Sequence, residues 1–257
     1  MEFLSGHELL FLYLFGGVLA VLAGLVKGLV GFGMPLILIS GLSTIMPPEL
    51  ALAGLIGPTL VTNLWQALRQ GPGAAVASVR MFAPFMLAGA VTLVVAAQLV
   101  PHMRSEALLL IIAVPVTAFA LLMLTGRQMP LPAHPGRGIQ GVIGAVSGVL
   151  GGMTGVWGPT TVAMLTAMQT EKRDQIRIQG VIFGSGAVLL AAAHIASGVL
   201  NSATVGLSLA LIAPTLLGQW LGLRLQDRID QVMFQRLTLI VLLLAGLNLL
   251  RRGVVGG

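Results

Sequence analysis

The chain contains no cysteine, so neither disulfides nor thiolate metal sites can be built from it. Charge is scarce too. Only 9% of the 257 residues are Asp, Glu, Lys or Arg, against about 25% in an ordinary soluble domain. No Asp or Glu lies deep in any apolar stretch, which argues against a cation pump and an intramembrane protease. Catalytic motifs are missing as well: there is no HExxH pair, no GxSxG and no P-loop. No enzyme, metal or cofactor is therefore expected. "MEFLSGHELL" offers no basic n-region, and the apolar run that follows is too long for a cleavable signal.

What remains is apolar. Hydrophobic residues make up 56% of the chain, and stretches of about 20 residues recur as bilayer spans require. They cover roughly 8–29, 34–46, 50–68, 81–100, 106–125, 139–152, 158–169, 178–200, 203–223 and 232–250. The expected class is an all-α integral membrane protein embedded in a lipid bilayer. The net charge of +6 would suggest nucleic acid in a soluble protein. Here Lys and Arg lie mostly in short loops, where they set orientation, and no nucleic-acid partner is expected.

Two glycine-rich segments repeat one another. Gly17, Gly24, Gly28, Gly31 and Pro35 match Gly141, Gly148, Gly152, Gly155 and Pro159 at a constant offset of 124 residues. "MFAPFMLAG" (81–89) likewise resembles "LIAPTLLG" (211–218). Between the halves lies "TGRQMPLPAHPGRG" (125–138), with three prolines and two arginines. Internal repeats are characteristic of transporter folds. The first repeat is read as 1–126, with a broken segment over 8–46 and three spans after it. A linker occupies 127–138. The second repeat is read as 139–252, with a broken segment over 139–170 and again three spans.

The second broken segment predicts two half-helices of about 18–22 Å each, short of the roughly 30 Å hydrocarbon core. Such a pair forms a re-entrant hairpin, tolerated only inside protein or beside a water-filled cavity. If each broken segment crossed completely, 6 Lys and Arg would fall on one side and 7 on the other, with Lys27 left out. If each returns to its starting side, the division becomes 10 and 3, the bias that membrane proteins show. The second arrangement puts the linker in the cytoplasm and both termini on the outer face. It also makes the two repeats inverted, because each contains an odd number of spans.

Inverted repeats with broken helices bind their substrates near the midplane, at the breaks. Half-helices starting near Pro35 and Pro159 would direct free N–H groups and the positive dipole end there, which suits a small anion. Gly31, Gly33, Gly155 and Gly158 would let a ligand approach the backbone closely. Gly24–Gly28 and Gly148–Gly152, both GxxxG pairs, fit helix packing better. Lys27 is the sole cation within either break; it either attracts the anion or snorkels to a surface. Trp157 either walls a pocket or simply packs. Asn63 and Gln66 share one face of the second apolar span. Thr160 and Thr161 open the half-helix after Pro159, where their hydroxyls could bind substrate oxygens or their own backbone. His194 is the one histidine within an expected span and could relay protons, although a satisfied packing role is commoner. "TEKRDQIR" (170–177) reads as a charged loop.

The breaks "GLVKGLVGFGMP" and "GVLGGMTGVWGP", the stretch "PTLVTN" (58–63), and the landmarks "APFMLAG" and "APTLLG" resemble the TauE/SafE family of sulfite exporters over about residues 10–250. Lys27 and Trp157 depart from that pattern. The resemblance implies a permease of the cytoplasmic membrane that exports sulfite or a related organosulfur anion such as sulfoacetate. The expected protein is thus a secondary anion transporter working by alternating access. Binding would involve Gly31, Gly33, Pro35, Asn63, Gly155, Gly158, Pro159 and Thr160, with Lys27 and Trp157 at the breaks. An accessory protein of a partner complex and a passive anion channel remain alternatives. A homodimer is compatible with the sequence.

Overall fold

The computed structural model describes residues 6–97, 105–126, 135–154, 158–196 and 198–255. Among these residues there is no strand, and twelve helices follow one another. They are α1 (Gly6–Val30), α2 (Met34–Leu42), α3 (Pro48–Leu68), α4 (Pro72–Met81), α5 (Ala83–Ala97), α6 (Ser105–Leu124), α7 (Arg137–Thr154), α8 (Gly158–Ala167), α9 (Lys172–Ala196), α10 (Val205–Ala210), α11 (Ile212–Arg228) and α12 (Gln231–Val255). Read in chain order, they form two series of six. Each series opens with a helix and a short follower, continues through one long helix and a pair separated by one residue, and closes on another long helix. Three helical stretches are long and apolar enough to cross a membrane: Lys172–Ala196, Val205–Arg228 and Gln231–Asn248. The pair Pro72–Met81 and Ala83–Ala96, bent by 67°, makes a fourth if it counts as one span.

The glycine-rich stretch behaves differently from the expectation. α1 continues through Gly24, Lys27 and Gly28 to Val30, so Lys27 stands in the last helical turn and not in the break. The break is confined to residues 31–33. There Gly31 and Gly33 both sit at φ +91°, a left-handed region that costs an L side chain roughly 1–2 kcal/mol. In the second half α7 runs from Arg137 through Gly151 and Gly152 to Thr154, which takes in the last residues assigned to the linker. Its 18 residues span about 27 Å, and the 10 of α8 about 15 Å. The expected pieces of similar length are therefore unequal. Gly155 and Trp157 lie outside the described residues.

Two further differences have local causes. The charged run 170–177 is mostly helical, because α9 begins at Lys172. The Gln231 side chain accepts from the Lys172 N–H (2.9 Å) and donates to the Thr170 carbonyl (3.0 Å), which pins the turn before α9. The expected span 81–100 corresponds to α5, but α4 precedes it and the two are bent by 67° at Phe82; a one-residue interruption also separates α10 from α11 at Leu211. Each precedes a proline by two or three residues, Pro84 and Pro214. Proline lacks the N–H that would bond the carbonyl four residues back, so the ladder loosens there.

The described helices form two compact units, and neither is one half of the chain. The first comprises Met1–Pro72 and Ile176–Asp230. Here α1 packs along α11, and α3 packs on α2, α10 and α11. The α1–α11 contact is made by glycines from both helices. A methyl group on Gly24 would fall on the Thr215 carbonyl oxygen, and one on Gly28 on the Gln219 carbonyl oxygen. From the other side, Gly218 faces the Val21 carbonyl and Gly222 that of Leu25. The packing role expected of Gly24 and Gly28 is what the structure shows. Ala20, Ala23, Met34, Leu38, Leu42, Leu55, Leu207 and Leu211 form the apolar core beside it.

The second unit comprises Gly73–Gln175 and Gln231–Gly257. In it α5 packs along α7, and α6 along α12. Gly144 and Gly148 meet the carbonyls of Phe85 and Gly89, so close backbone approach again sets the contact. The Thr92 hydroxyl also donates to the Ala145 carbonyl across this contact (2.9 Å). The pairing repeats with the halves exchanged. In the first unit, helix one of the first series meets helix five of the second. In the second unit, helix one of the second series meets helix five of the first.

Polarity within the first unit is the reverse of a soluble domain. Leu14, Val18 and Leu22, one turn apart on α1, are 61%, 63% and 53% exposed. Ala20, Ala23 and Lys27 on another face are buried. On α3, Thr59, Thr62, Asn63 and Gln66 form a buried polar row at helical spacing while Leu64 and Leu68 are exposed. Exposed apolar stripes of this kind need lipid against them.

Candidate functional site

The buried polar row of α3 meets the end of α1 at the first break. An α-helix leaves its last four carbonyls without intrahelical partners, and in α1 those of Lys27 and Val30 accept from glutamine side chains. Gln66 Nε2 donates to the carbonyls of Lys27 (3.1 Å) and Gly31 (3.3 Å). Gln179 on α9, its amide oriented with Nε2 toward the chain end, donates to Val30 (3.3 Å) and Gly31 (3.0 Å). The Gly31 N–H closes the turn onto the Lys27 carbonyl at 2.7 Å. A methyl group at Gly31 would run into the Gln179 amide, so the residue must be glycine for space as well as for backbone angle. α2 then starts at Met34 with Pro35 in its first turn. Gly33, as its N-cap, has no side chain to cover the first free N–H groups. The Thr62 hydroxyl lies 3.7 Å from the Met34 sulfur, which ties this helix start to α3.

Lys27 points into the same cluster. Its side chain is 1% exposed, which rules out snorkelling. The amine donates to Asn63 Oδ1 at 2.5 Å, and that bond spans 36 residues of sequence. Among the described residues no carboxylate bonds it. An ion pair of this unit joins Arg69, just past α3, to Asp227 (2.7 Å), and Arg69 also donates to Gln226 (2.9 Å). Asn63 Nδ2, Gln66 Oε1 and Gln219 Oε1 are buried and have no hydrogen-bond partner. Gln219 itself donates through Nε2 to the Thr62 carbonyl at 3.0 Å. A buried unsatisfied polar atom costs about 1–3 kcal/mol, and three of them stand in this cluster. On the α9 side the cluster is closely packed: Gly184 lies against Asn63, and a methyl group on Gly180 would run into Gln66 and the Ala67 backbone.

Chemically, the cluster offers a lysine amine with unused donor capacity, a free amide N–H, and an uncapped helix start. These are the groups an oxyanion needs. The two free amide oxygens can accept from a hydroxylated anion or from water. Of the expected residues, Lys27, Gly31, Gly33, Pro35 and Asn63 belong to this one neighbourhood. Gln66 belongs to it as well.

The remaining candidates lie elsewhere. Gly158, Pro159 and Thr160 form the first turn of α8 in the second unit, with Pro159 buried. The hydroxyls of Thr160 and Ser147 are hydrogen-bonded at 2.8 Å, which ties α8 to α7. His194 stands in the last turn of α9, where its carbonyl accepts from the Leu200 N–H at 3.0 Å. It is about 22 Å along the helix from Gln179, so it takes no part in the Lys27 cluster. Gln179 and Gln219 were not singled out from the sequence. Each carries a signal after the fact: Gln179 follows Gln175 by four residues at the start of an apolar run, and Gln219 sits inside the glycine pair 218–222.

A family model described as Sulfite exporter TauE/SafE matches residues 16–249. Neither the curated proteins nor the solved structures compared with the chain give a match.

Proposed function

The chain belongs to the TauE/SafE sulfite exporter family, and from that membership we propose that it is a secondary transporter exporting sulfite or a related small organosulfur anion by alternating access. As a member with long apolar helices, it is a multi-pass membrane protein. The single observation that carries the anion reading is Lys27: a fully enclosed amine, bonded to Asn63 and to no carboxylate among the described residues, beside an uncapped helix start. Such an amine is stable as a cation only with a counter-charge, and the transported anion supplies it. Lys27, Asn63 and the backbone from Gly31 to Pro35 hold the substrate in this reading. Gly158, Pro159 and Thr160 make the second break an anion-receptive helix start of its own. Gly155 and Trp157 are proposed as its neighbours on the sequence pattern.

The two series of helices are proposed as inverted repeats. In support, helix order recurs and the packing of helix one on helix five recurs with the halves exchanged. Membership of an exporter family and the Lys/Arg distribution favour the cytoplasmic membrane, with both termini outside. The absence of native cysteine makes that orientation easy to test. A single cysteine placed at either end should react with an impermeant maleimide in intact cells, and one placed in the linker 127–138 should not.

The decisive experiment is flux of labelled sulfite in liposomes containing the purified protein, with sulfoacetate, sulfate and thiosulfate as competitors. Saturable flux blocked best by sulfite is the expected result. Better block by a competitor would change the substrate within the same reading. Flux that neither saturates nor concentrates along an ion gradient would mean a passive channel. No flux from demonstrably folded protein would point to an accessory role in a partner complex.

A further inference from the structure

Resting on the anion site assigned above, we propose that the protein is an anion exchanger, whose empty form returns across the membrane slowly because Lys27 carries no counter-charge of its own. The amine has one bond, to the neutral Asn63 amide oxygen. The polar side chains recorded at this end of α1 and along α3 are neutral too: Gln66 bonds the Lys27 and Gly31 carbonyls, Gln179 those of Val30 and Gly31, and Gln219 that of Thr62. Asp227 in this unit is bonded to Arg69 at 2.7 Å.

An enclosed cation is strongly disfavoured unless an opposite charge is bound to it. While the site is open, water offsets that cost. An alternating-access carrier must close around the site to change sides, and closure removes the water. With an anion bound, Lys27 and its ligand pass through closure as a neutral pair. With the site empty, the ammonium must pass alone. The loaded crossing is therefore the fast one, and an anion on the far side shortens the return. The substrate serves as the counter-ion that the chain does not encode.

The test loads proteoliposomes with labelled sulfite and compares its exit into anion-free medium with exit into saturating unlabelled sulfite. External sulfite is expected to accelerate exit at least about tenfold, one decade of equilibrium or rate per 1.4 kcal/mol. Asn63→Asp, nearly identical in size, sets a carboxylate against Lys27 and should bring the ratio close to one. Lys27→Met should do the same, and Lys27→Arg should keep the acceleration. Thermal unfolding in detergent establishes that each variant is folded. Equal exit into both media would overturn the proposal while leaving the transporter reading intact. Release of one proton with each anion during such exit would overturn it in the same way, because the amine would then discharge instead of waiting for a counter-anion. Acceleration that survives both Asn63→Asp and Lys27→Met would also overturn it. If labelled sulfite does not move into either medium, the transporter reading itself fails.

Discussion

Replacing Lys27 with methionine separates a structural lysine from a binding one. Methionine is similarly long, unbranched and adaptable, so it fills the same channel between α1 and α3 and leaves no sizeable cavity. The substitution takes away the one hydrogen bond of Asn63 Oδ1, a loss of about 1–3 kcal/mol for a buried unsatisfied group. It also removes an enclosed ammonium that lacks a carboxylate partner, whose burial costs several kcal/mol even after relaxation. The second effect is at least as large as the first. Thermal unfolding in detergent should therefore show Lys27→Met as stable as the parent or more so. Anion binding should suffer instead. A charge-assisted hydrogen bond contributes about 1.5–3 kcal/mol, and at 1.4 kcal/mol per decade the half-saturating sulfite concentration should rise about 10- to 150-fold. A variant that melts markedly lower yet saturates at the parent's concentration would refute the reasoning, because Lys27 would then serve the fold and not the substrate.

Other expectations follow from the same geometry. Gly28→Ala forces a methyl group onto the Gln219 carbonyl and should destabilise by about 1–3 kcal/mol. Gly17→Ala has nothing within 4 Å of the new atom and should be neutral or gain up to about 1 kcal/mol; the two melting curves compared in one detergent decide this. Gly31→Ala meets the Gln179 amide and an unfavourable φ of +91° together. It should lower both stability, by at least about 1–2 kcal/mol, and sulfite flux, and parent-like flux would show that the break tolerates distortion. Thr160→Val removes the bond to Ser147, worth about 0.5–1.5 kcal/mol. A raised half-saturation for sulfite is expected along with it, and an unchanged one would confine Thr160 to holding α8 on α7.

Proline shows how far local reading goes. Pro58 lies inside α3, which continues unbroken from Pro48 to Leu68. Pro84 and Pro214 accompany breaks at Phe82 and Leu211. The residue is the same, but surrounding helices decide whether the freed carbonyl is accommodated or the chain bends. The start of α9 makes the same point. Glu171 to Arg177 looks like a solvated loop on charge alone, yet contact with Gln231, about 60 residues away, settles where the helix begins.

The sequence by itself determined the membrane setting, the positions of the two breaks to within a few residues, the packing role of Gly24 and Gly28, and the shared face of Asn63 and Gln66. All of these follow from short-range facts: apolar run length, glycine's backbone freedom, and a period of 3.6 residues. Tertiary structure alone decided that Lys27 is helical and enclosed, that its partner is Asn63, and that Gln179 and Gln219 complete the cluster. It also decided that each compact unit draws helices from both halves of the chain. These outcomes depend on which helices approach closely enough for backbone to touch backbone. A lysine in an apolar run can reach a surface or turn inward, and only the neighbour that meets it determines which.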